Sequence, residues 1–286
     1  MGKRYRWRGP VDLGGLAFRI RAARHRLGKR LEPVGYRWVG HPVDRVLWRL
    51  WNRSDGAPAR WVSRRAVTHL LPEATRVHIP PRTLDRILKT PRRKDGVRRP
   101  SKSAFFWDGD WDRWTAPLTE HARVRFMYDV WAHRDRLRES ESWRRFVEKM
   151  EAGEAYARTP QGLTLDTPEN IEAFLRDAVA LVESMAEHGY RDDLGDEELF
   201  VALDRDGRLI KVNVGRKRLA AAQLADVPSV PVRVAHVHAD WWDEQRRRHE
   251  GTPEERLRAA LEEWAATQAP GTGPERPGEG NPEEPA

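Results

Sequence analysis

The sequence predicts an α+β protein with a small mixed sheet, a helical basic N-terminal region and extra helices. The first observation behind this prediction is the order of segments between residues 199 and 237, where strand-like runs and one helix-like run alternate. The second is residues 168–188, whose apolar side chains recur at the spacing of one long amphipathic helix. Short apolar strands followed by helical stripes are typical of domains in which helices cover a sheet.

Residues 1–72 are predicted to form a basic region of helices rich in tryptophan and arginine. Apolar side chains between residues 43 and 50 follow helical spacing, and residues 16–27 form a second, arginine-rich candidate. Residues 75–81 alternate briefly and end in two prolines, which predicts a strand that stops there. For residues 83–88 we expect one or two helical turns.

Residues 73–242 are predicted to be the sheet domain, with a helical insertion. A basic, proline-containing loop at 89–103 leads into an aromatic and acidic turn at 105–114, and helical spacing follows between residues 124 and 150. Thr167-Pro-Glu then opens the long helix, because threonine caps it, proline fits the first helical position and glutamate meets the positive end of the dipole.

The second half of this domain has the clearest strand pattern. Residues 199–203 form a buried apolar run, residues 204–207 a hairpin turn, and residues 209–214 the returning strand. A helix at 219–225 and a strand at 230–237 complete the pattern.

The C-terminal part is predicted to contain a helix and a tail. Within residues 243–268, Thr252-Pro-Glu-Glu255 has the spacing of a capping box before a helix that runs through Trp264. Residues 269–286 are rich in proline, glycine and glutamate and contain little that could be buried, so we expect a disordered acidic tail.

Composition excludes several classes of protein. The 286 residues contain no cysteine, which excludes disulfides, thiolate nucleophiles and cysteine-ligated zinc. No apolar run is long enough to cross a bilayer and the N-terminus has no apolar signal segment, so we expect no transmembrane segment and a cytoplasmic protein. The glycine loops of P-loop and dinucleotide-binding proteins are absent from the sequence.

Charge is distributed unevenly along the chain. Residues 1–100 carry 26 lysines and arginines against 7 acidic residues, a net charge of +19, whereas the remainder has a net charge of −11. Such a basic region favours DNA or RNA as a partner, and its mixture of arginine and tryptophan also suits an anionic membrane surface. The alternative is that the arginines serve solubility and most tryptophans fill the core.

The strongest candidate for a functional site is the turn Gly215-Arg216-Lys217-Arg218, which lies between a predicted strand and a predicted helix. Backbone N–H groups, a helix N-terminus and three cations would meet there, which is an arrangement that binds phosphate. We expect Gly215 to let the ligand approach the backbone and Arg218 to anchor it. The alternative is a surface turn whose cations face water.

An acidic turn is a second candidate. Asp108, Asp110 and Asp112 alternate, as the ligands of a cation loop do. If this turn folds over Gly215, Asp110 and Asp112 could hold magnesium on a bound phosphate. The alternative is that the carboxylates cap backbone amides of the turn.

Several of these features follow one another in a recognisable order. A helix ending at Gly189, the strand at 199–203, the turn at 215–218, an alanine-rich helix and a Val-Pro-Val strand at residues 230–232 occur in succession. This order resembles the ParB/sulfiredoxin superfamily, whose fold is known as the ParB-like nuclease domain. The likeness is strongest for an uncharacterised branch with a Gly-Asp-Trp-Asp turn, which residues 109–112 match.

The resemblance implies a function. In that superfamily the Gly-x-x-Arg turn contacts nucleotide phosphates, so a nucleotide or another phosphorylated ligand is implied, with a nucleoside triphosphate and magnesium as the candidate cofactors. Phosphotransfer or phosphoester hydrolysis is the implied activity, and a non-catalytic nucleic-acid-binding module that uses the arginine-rich N-terminal region is the alternative. Sulfiredoxin activity is excluded because it needs a cysteine at this turn. A DNA-sliding clamp is not expected, because no helix-turn-helix pair follows Val234.

The resemblance also singles out candidate general bases. Glu183 and His188 lie at the end of the long helix, near where members of the superfamily meet the nucleotide. The alternative is an ordinary solvated helix face. His236 and His238 share one face of a predicted strand, and without a third ligand at a suitable spacing a structural role is preferred over zinc binding.

Overall fold

The computed structural model of the protein describes residues 41–89, 101–154, 156–157, 164–191, 198–212 and 214–268. The arginine-rich segment at 16–27, the predicted tail at 269–286 and most of the basic loop at 89–103 lie outside the described residues. The expectations for those three segments therefore stay predictions.

Eight α-helices occur in the described residues, and the longest is the one that the Thr167-Pro-Glu signal predicts. The helices are α1 (His41–Asn52), α2 (Arg64–Leu70), α3 (Ala122–Ala132), α4 (Glu141–Glu151), α5 (Pro168–His188), α6 (Arg216–Leu224), α7 (Ala239–Arg248) and α8 (Pro253–Ala266). The capping box predicted at Thr252 and Glu255 is present at the start of α8. Short 3₁₀-helices lie at Pro81–Thr83, Trp111–Arg113, Leu118–Glu120 and Leu137–Glu139.

Seven of the strands in the described chain form one sheet, and two form a separate ribbon. The strands are β1 (Arg76–Ile79), β2 (Arg86–Leu88), β3 (Phe106–Trp107), β4 (Thr115–Pro117), β5 (Tyr156–Ala157), β6 (Thr164–Leu165), β7 (Leu199–Leu203), β8 (Leu209–Lys211) and β9 (Val230–His238). The order in the sheet is β1-β9-β7-β8-β2-β4, with β3 also paired to β9, and β5 pairs with β6.

Contacts divide the chain into two compact units. One contains α4, the β5–β6 ribbon and the first part of α5. Its side chains make a small network in which Glu172 accepts hydrogen bonds from Arg138 and Arg176, and Phe146 packs edge-on against Phe174. The other unit contains the seven-stranded sheet, and every side chain considered below for a function lies in it.

The large sheet is mixed, as the sequence predicts. Strand β7 runs parallel to β9 and antiparallel to β8, while β8 runs parallel to β2. The predicted hairpin turn joins β7 to β8, and the backbone N–H of Asp204 donates to the carbonyl of Arg208 at 3.0 Å. Opposite the step from Val201 to Ala202, β9 contains one extra residue, Ala235. The prediction of an α+β protein with a mixed sheet is confirmed.

One side of the sheet carries a layer of aromatic rings. Trp107 and Trp111 pack against the small or branched side chains of Ala202, Ile210 and Val212 in one buried cluster. This packing explains why the sequence places two tryptophans beside the acidic turn, because each ring removes a large apolar area from water.

Tryptophans of the N-terminal helix also belong to the core. Trp48 and Trp51 of α1 are buried, and the Trp51 ring lies 5.6 Å from Phe106 and 5.9 Å from Trp242, measured between ring centroids. Trp61 is 46% exposed. The interpretation that tryptophan fills the core is confirmed for α1.

The prediction of helical turns at residues 83–88 is wrong. The helical part ends at Thr83, and Arg86–Leu88 form β2, which pairs with β4 on one side and β8 on the other. Ile87 is buried between Ala116 and Lys211 in this register. Partners that are distant in sequence decide the conformation here, because strand pairing is not encoded in the local pattern.

Candidate functional site

The predicted phosphate-binding turn begins at Gly215, where any other residue type would be strained. Gly215 has a φ of 88°, in the left-handed region, and immediately precedes α6. A Cβ atom at this position would lie 2.6 Å from Cδ2 of Leu199 in β7. The backbone of the turn is therefore pressed against the sheet, and only glycine fits without strain. This glycine also makes α6 begin at Arg216, earlier than the predicted start at residue 219.

A buried lysine holds the chain that leads into this turn. Lys211 has no exposed surface, and its Nζ donates to the carbonyl oxygens of Val212 and Val214 at 2.6 Å each and of Phe200 at 3.0 Å. The ammonium group thereby ties the connection between β8 and α6 to β7. Sequence reasoning missed this residue, although a lysine inside an otherwise apolar strand was a signal.

The cations that follow Gly215 do not all converge on one point. The guanidinium of Arg218 donates from Nη2 to the carbonyl oxygen of Arg191 at 2.6 Å and lies 4.4 Å above the ring of Tyr190. The Nζ atom of Lys217 instead lies 4.5 Å above the ring of Phe126 in α3. Arg218 therefore contacts the segment that follows α5, whereas Lys217 contacts a different helix.

Arg216, the remaining cation of the turn, acts electrostatically on the same histidine as Arg123. Burial, and then the charges of Arg216 and Arg123, lower the pKa of His121. His121 directly precedes α3, and its Nδ1 accepts a hydrogen bond from the backbone N–H of Arg123 at 3.2 Å. The imidazole is therefore neutral with its proton on Nε2, and two guanidinium groups lie close enough to repel a second proton.

Helices α3 and α6 run side by side in the same direction. At the N-terminal end of each helix, the charge of Arg216 lowers the pKa of His121. Seven residues further along each helix, the hydroxyl of Tyr128 donates to Oε1 of Gln223 at 3.3 Å. Because seven residues are two turns, about 10 Å of helix, the matched steps on both helices favour a parallel arrangement. Both N-termini, where each macrodipole is positive, consequently lie at the same end.

A cavity of about 430 Å³ lies beside this helix pair. It is bordered by β2, β4 and the two helices, and its charged or polar lining includes Arg82, Asp85, Arg86, Thr115, Tyr128 and Gln223. Its volume is within the range of small-molecule sites. The sequence pattern indicates none of these residues, because the cavity depends on the strand at residues 86–88, which that pattern does not reveal.

The polar wall of the cavity is held in place by hydrogen bonds. Gln223 is buried, and its Nε2 donates to the carbonyl oxygens of Pro81 at 2.9 Å and Leu84 at 3.2 Å. Its Oε1 accepts from Tyr128, and burial raises the pKa of that phenol. One amide therefore connects α6, α3 and the turn before β2, so the wall is preorganised.

The acidic turn is held by an arginine. Nε of Arg205 donates to Oδ2 of Asp112 at 2.7 Å, and its Nη2 donates to Asp110 and to the second oxygen of Asp112, at 2.8 Å each. Asp108 pairs with Arg60 at 2.5 Å on the surface. Within the described residues, no three His, Asp or Glu side chains gather as a set of metal ligands. Magnesium would have to displace a guanidinium to bind Asp112.

The two strand histidines connect β9 to the segment beside it. Nδ1 of His236 donates to the carbonyl of Ala104, and Nε2 of His238 donates to the carbonyl of Gly109, both at 2.8 Å. The His236 ring stacks on Trp107 at 3.7 Å between centroids, and burial lowers its pKa to about 3. Both imidazoles thus serve as hydrogen-bonding parts of the core.

The candidate general bases lie on the exposed side of α5. Glu183 and His188 are both exposed, and Nδ1 of His188 lies 3.2 Å from the carbonyl of Ser184. The chain just beyond them, at Tyr190 and Arg191, contacts Arg218. The end of α5 is therefore near the Gly215 turn, but no described contact joins Glu183 or His188 to Arg216.

Comparisons with protein families, with curated proteins and with solved structures each find no match to this chain. Among the described helices, none has the length and apolar character needed to cross a membrane.

Proposed function

We propose that this protein binds a phosphorylated ligand of the nucleotide class at the paired N-termini of α3 and α6. The observation that carries the proposal is the packing of α6, which begins directly after Gly215, against α3, shown by Lys217 over the Phe126 ring and by the Tyr128–Gln223 hydrogen bond. Arg216 and Arg123 both act electrostatically on His121, the residue before α3. This location adjoins the Gly215 turn, and the ParB-like order of elements is the reason for favouring a nucleotide over other phosphates.

The chemistry of this helix pair suits an anion. Each helix N-terminus presents backbone N–H groups that have no partner within the helix and carries about half a positive charge. Arg216 and Arg123 add two guanidinium groups, which bind phosphate through paired N–H groups. Neutral His121, with its proton on Nε2, would contribute one further donor.

We propose binding of the phosphorylated ligand, without a reaction. Phosphotransfer and phosphoester hydrolysis stay hypotheses, because Glu183 and His188 have no described contact with the cationic cluster and Arg205 neutralises Asp110 and Asp112. Nucleoside triphosphate with magnesium is the first ligand to test. The helix ends and arginines would hold its phosphates.

Isothermal titration calorimetry with ATP and CTP, with and without magnesium, tests the proposal on the full chain. We expect Arg216→Ala and Arg123→Ala each to weaken nucleotide binding about tenfold or more, since a charged hydrogen bond contributes about 1.5–3 kcal/mol. Arg125→Ala is the matched control, because Arg125 is exposed on the same helix and is not among the charges that act on His121.

Two outcomes would overturn the proposal. One is the absence of saturable heat with both nucleotides and with inorganic phosphate. The other is equal affinity in Arg216→Ala, Arg123→Ala and Arg125→Ala, which would place any bound nucleotide elsewhere.

A second candidate function is nucleic-acid binding through the basic N-terminal region. The observation that favours it is the exposure of Arg45 and Arg49 on α1 and of Arg53 directly after it, which recur every four residues. Fluorescence anisotropy with a labelled oligonucleotide would test this function at several salt concentrations. If it is correct, replacing the three arginines with alanine flattens the dependence of affinity on salt.

A further inference from the structure

We propose that the cavity between β2, β4 and the α3–α6 pair is a second binding site, for a small ligand with an anionic head and an apolar body. It is separate from the helix N-termini, because Tyr128 and Gln223 lie two turns further along the helices than His121 and Arg216, about 10 Å away. The inference does not depend on nucleotide binding.

Arg86 is the cation that would bind the anionic head of the ligand. It lies on β2, lines the cavity and is half-buried. Its Nη2 donates to Oγ1 of Thr115, which orients the guanidinium. Within the described part of the chain, no carboxylate lies within ion-pair distance of it. An anion in the cavity would give this half-buried guanidinium a charged hydrogen-bond partner.

A second guanidinium borders the same space. Arg82 donates from Nε and Nη2 to a single oxygen of Asp226, just beyond the end of α6. This pair is exposed on both sides, so it contributes little to stability, but it leaves Nη1 of Arg82 for another partner. Asp85 is the one carboxylate in the lining, so two guanidinium groups face one acid.

The rest of the lining suits an apolar body. The exposed ring of Pro117 and the phenol ring of Tyr128 contribute apolar surface, and the buried side chains of Leu84, Ala116 and Leu118 border the same space. Burial raises the pKa of Tyr128, so its hydroxyl stays protonated at neutral pH and can still accept one hydrogen bond. A ring or short chain with a carboxylate or phosphate head matches this mixture of groups.

Calorimetry with three probes of one body size tests the inference: benzoate, phenyl phosphate and neutral benzamide. We expect an anionic probe to bind at least tenfold more tightly than benzamide. Binding of benzoate alone identifies a carboxylate head, binding of phenyl phosphate alone a phosphate head, and binding of both a site that recognises negative charge. Failure of both anionic probes to bind overturns the inference.

Variants of the full chain locate the bound probe. Arg86→Ala should weaken the anionic probe about tenfold or more, and Arg86→Lys, which keeps the charge but loses the fork, should weaken it less. Arg125→Ala and Arg216→Ala should leave the affinity for benzoate unchanged. Phenyl phosphate also suits the phosphate site proposed at the helix N-termini, so its binding to the cavity is measured in the Arg216→Ala background. Loss of probe binding in Arg216→Ala with full binding in Arg86→Ala would assign the probe to the helix N-termini and overturn the cavity site.

Probe affinity in two further variants tests the site without relying on the folding of Arg86→Ala. Arg82→Ala alters an exposed side chain, and Tyr128→Phe keeps the ring, so both should fold. We expect each to weaken the anionic probe by about twofold to tenfold. If both variants, folded as judged by circular dichroism, bind the probe as the unmodified protein does, the cavity is not its site.

Discussion

The guanidinium of Arg205 and the carboxylate of Asp112 form a two-point pair, with Nε 2.7 Å from Oδ2 and Nη2 2.8 Å from Oδ1. Asp112 is buried, and Arg205 lies in the hairpin turn between β7 and β8. The pair therefore joins the acidic turn to the hairpin between β7 and β8. Burial by itself would raise the pKa of Asp112, but the hydrogen bonds from Arg205 outweigh burial and lower it.

Removing the arginine should destabilise the fold. Arg205→Ala leaves the Asp112 carboxylate buried without its partner, so we expect the free energy of unfolding in urea to fall by about 2–3 kcal/mol. Arg113→Ala is the control, because the ion pair of Arg113 with Asp110 is exposed, and its loss should cost less than about 0.5 kcal/mol. Equal effects of the two substitutions would show that the Arg205–Asp112 pair contributes little.

The buried imidazole of His236 should make stability depend on pH. Its pKa is about 3 in the folded protein, whereas an unfolded chain binds the proton near pH 6.5. The unfolded state therefore takes up a proton that the native state cannot, so stability is greatest above pH 6.5 and falls as the pH drops toward 3. Between these values His236 contributes a slope of about 1.4 kcal/mol per pH unit.

Urea unfolding between pH 7 and pH 4 checks this slope. His236→Asn does not titrate and keeps an N–H donor, so its free energy of unfolding should fall less steeply with decreasing pH, whatever its value at pH 7. His188→Asn is the control, because that imidazole is exposed. If the free energy of unfolding depends on pH equally steeply in His236→Asn and in the unmodified protein, His236 is not a buried neutral histidine in the native state.

Gly215 should not tolerate a side chain. Gly215→Ala places a Cβ 2.6 Å from Cδ2 of Leu199 and forces alanine to a φ of 88°, so we expect a loss of about 1–3 kcal/mol. The double variant with Leu199→Ala separates the two causes. If the contact dominates, the double variant loses less than the sum of the single variants, whereas additive losses assign the cost to the backbone conformation.

Lys211 should be essential for stability although it is charged and buried. Lys211→Met keeps the length of the side chain but removes the donor shared by the carbonyls of Phe200, Val212 and Val214. We expect the free energy of unfolding to fall by about 3 kcal/mol. Lys89→Met, at an exposed position after β2, should have almost no effect. A variant at residue 211 that is as stable as the unmodified protein would contradict this role.

Sequence reasoning succeeded where the signal is local. The Thr167-Pro-Glu start, the capping box at Thr252 and the hairpin turn at residues 204–207 each depend on neighbours within a few residues. It failed at residues 83–88, where β2 depends on pairing with β4 and β8. The cavity was missed for the same reason, because β2 and β4 form part of its wall.

The sequence by itself determined that the chain is α+β, that no cysteine chemistry is available and that Gly215 and three cations lie between a strand and a helix. Only the tertiary structure decided which cations meet. Lys217 and Arg218 contact different elements, while Arg216 joins His121 and Arg123 at the paired helix ends. The physical reason is that side chains next to each other on a helix point about 100° apart, so their partners depend on what packs on each side.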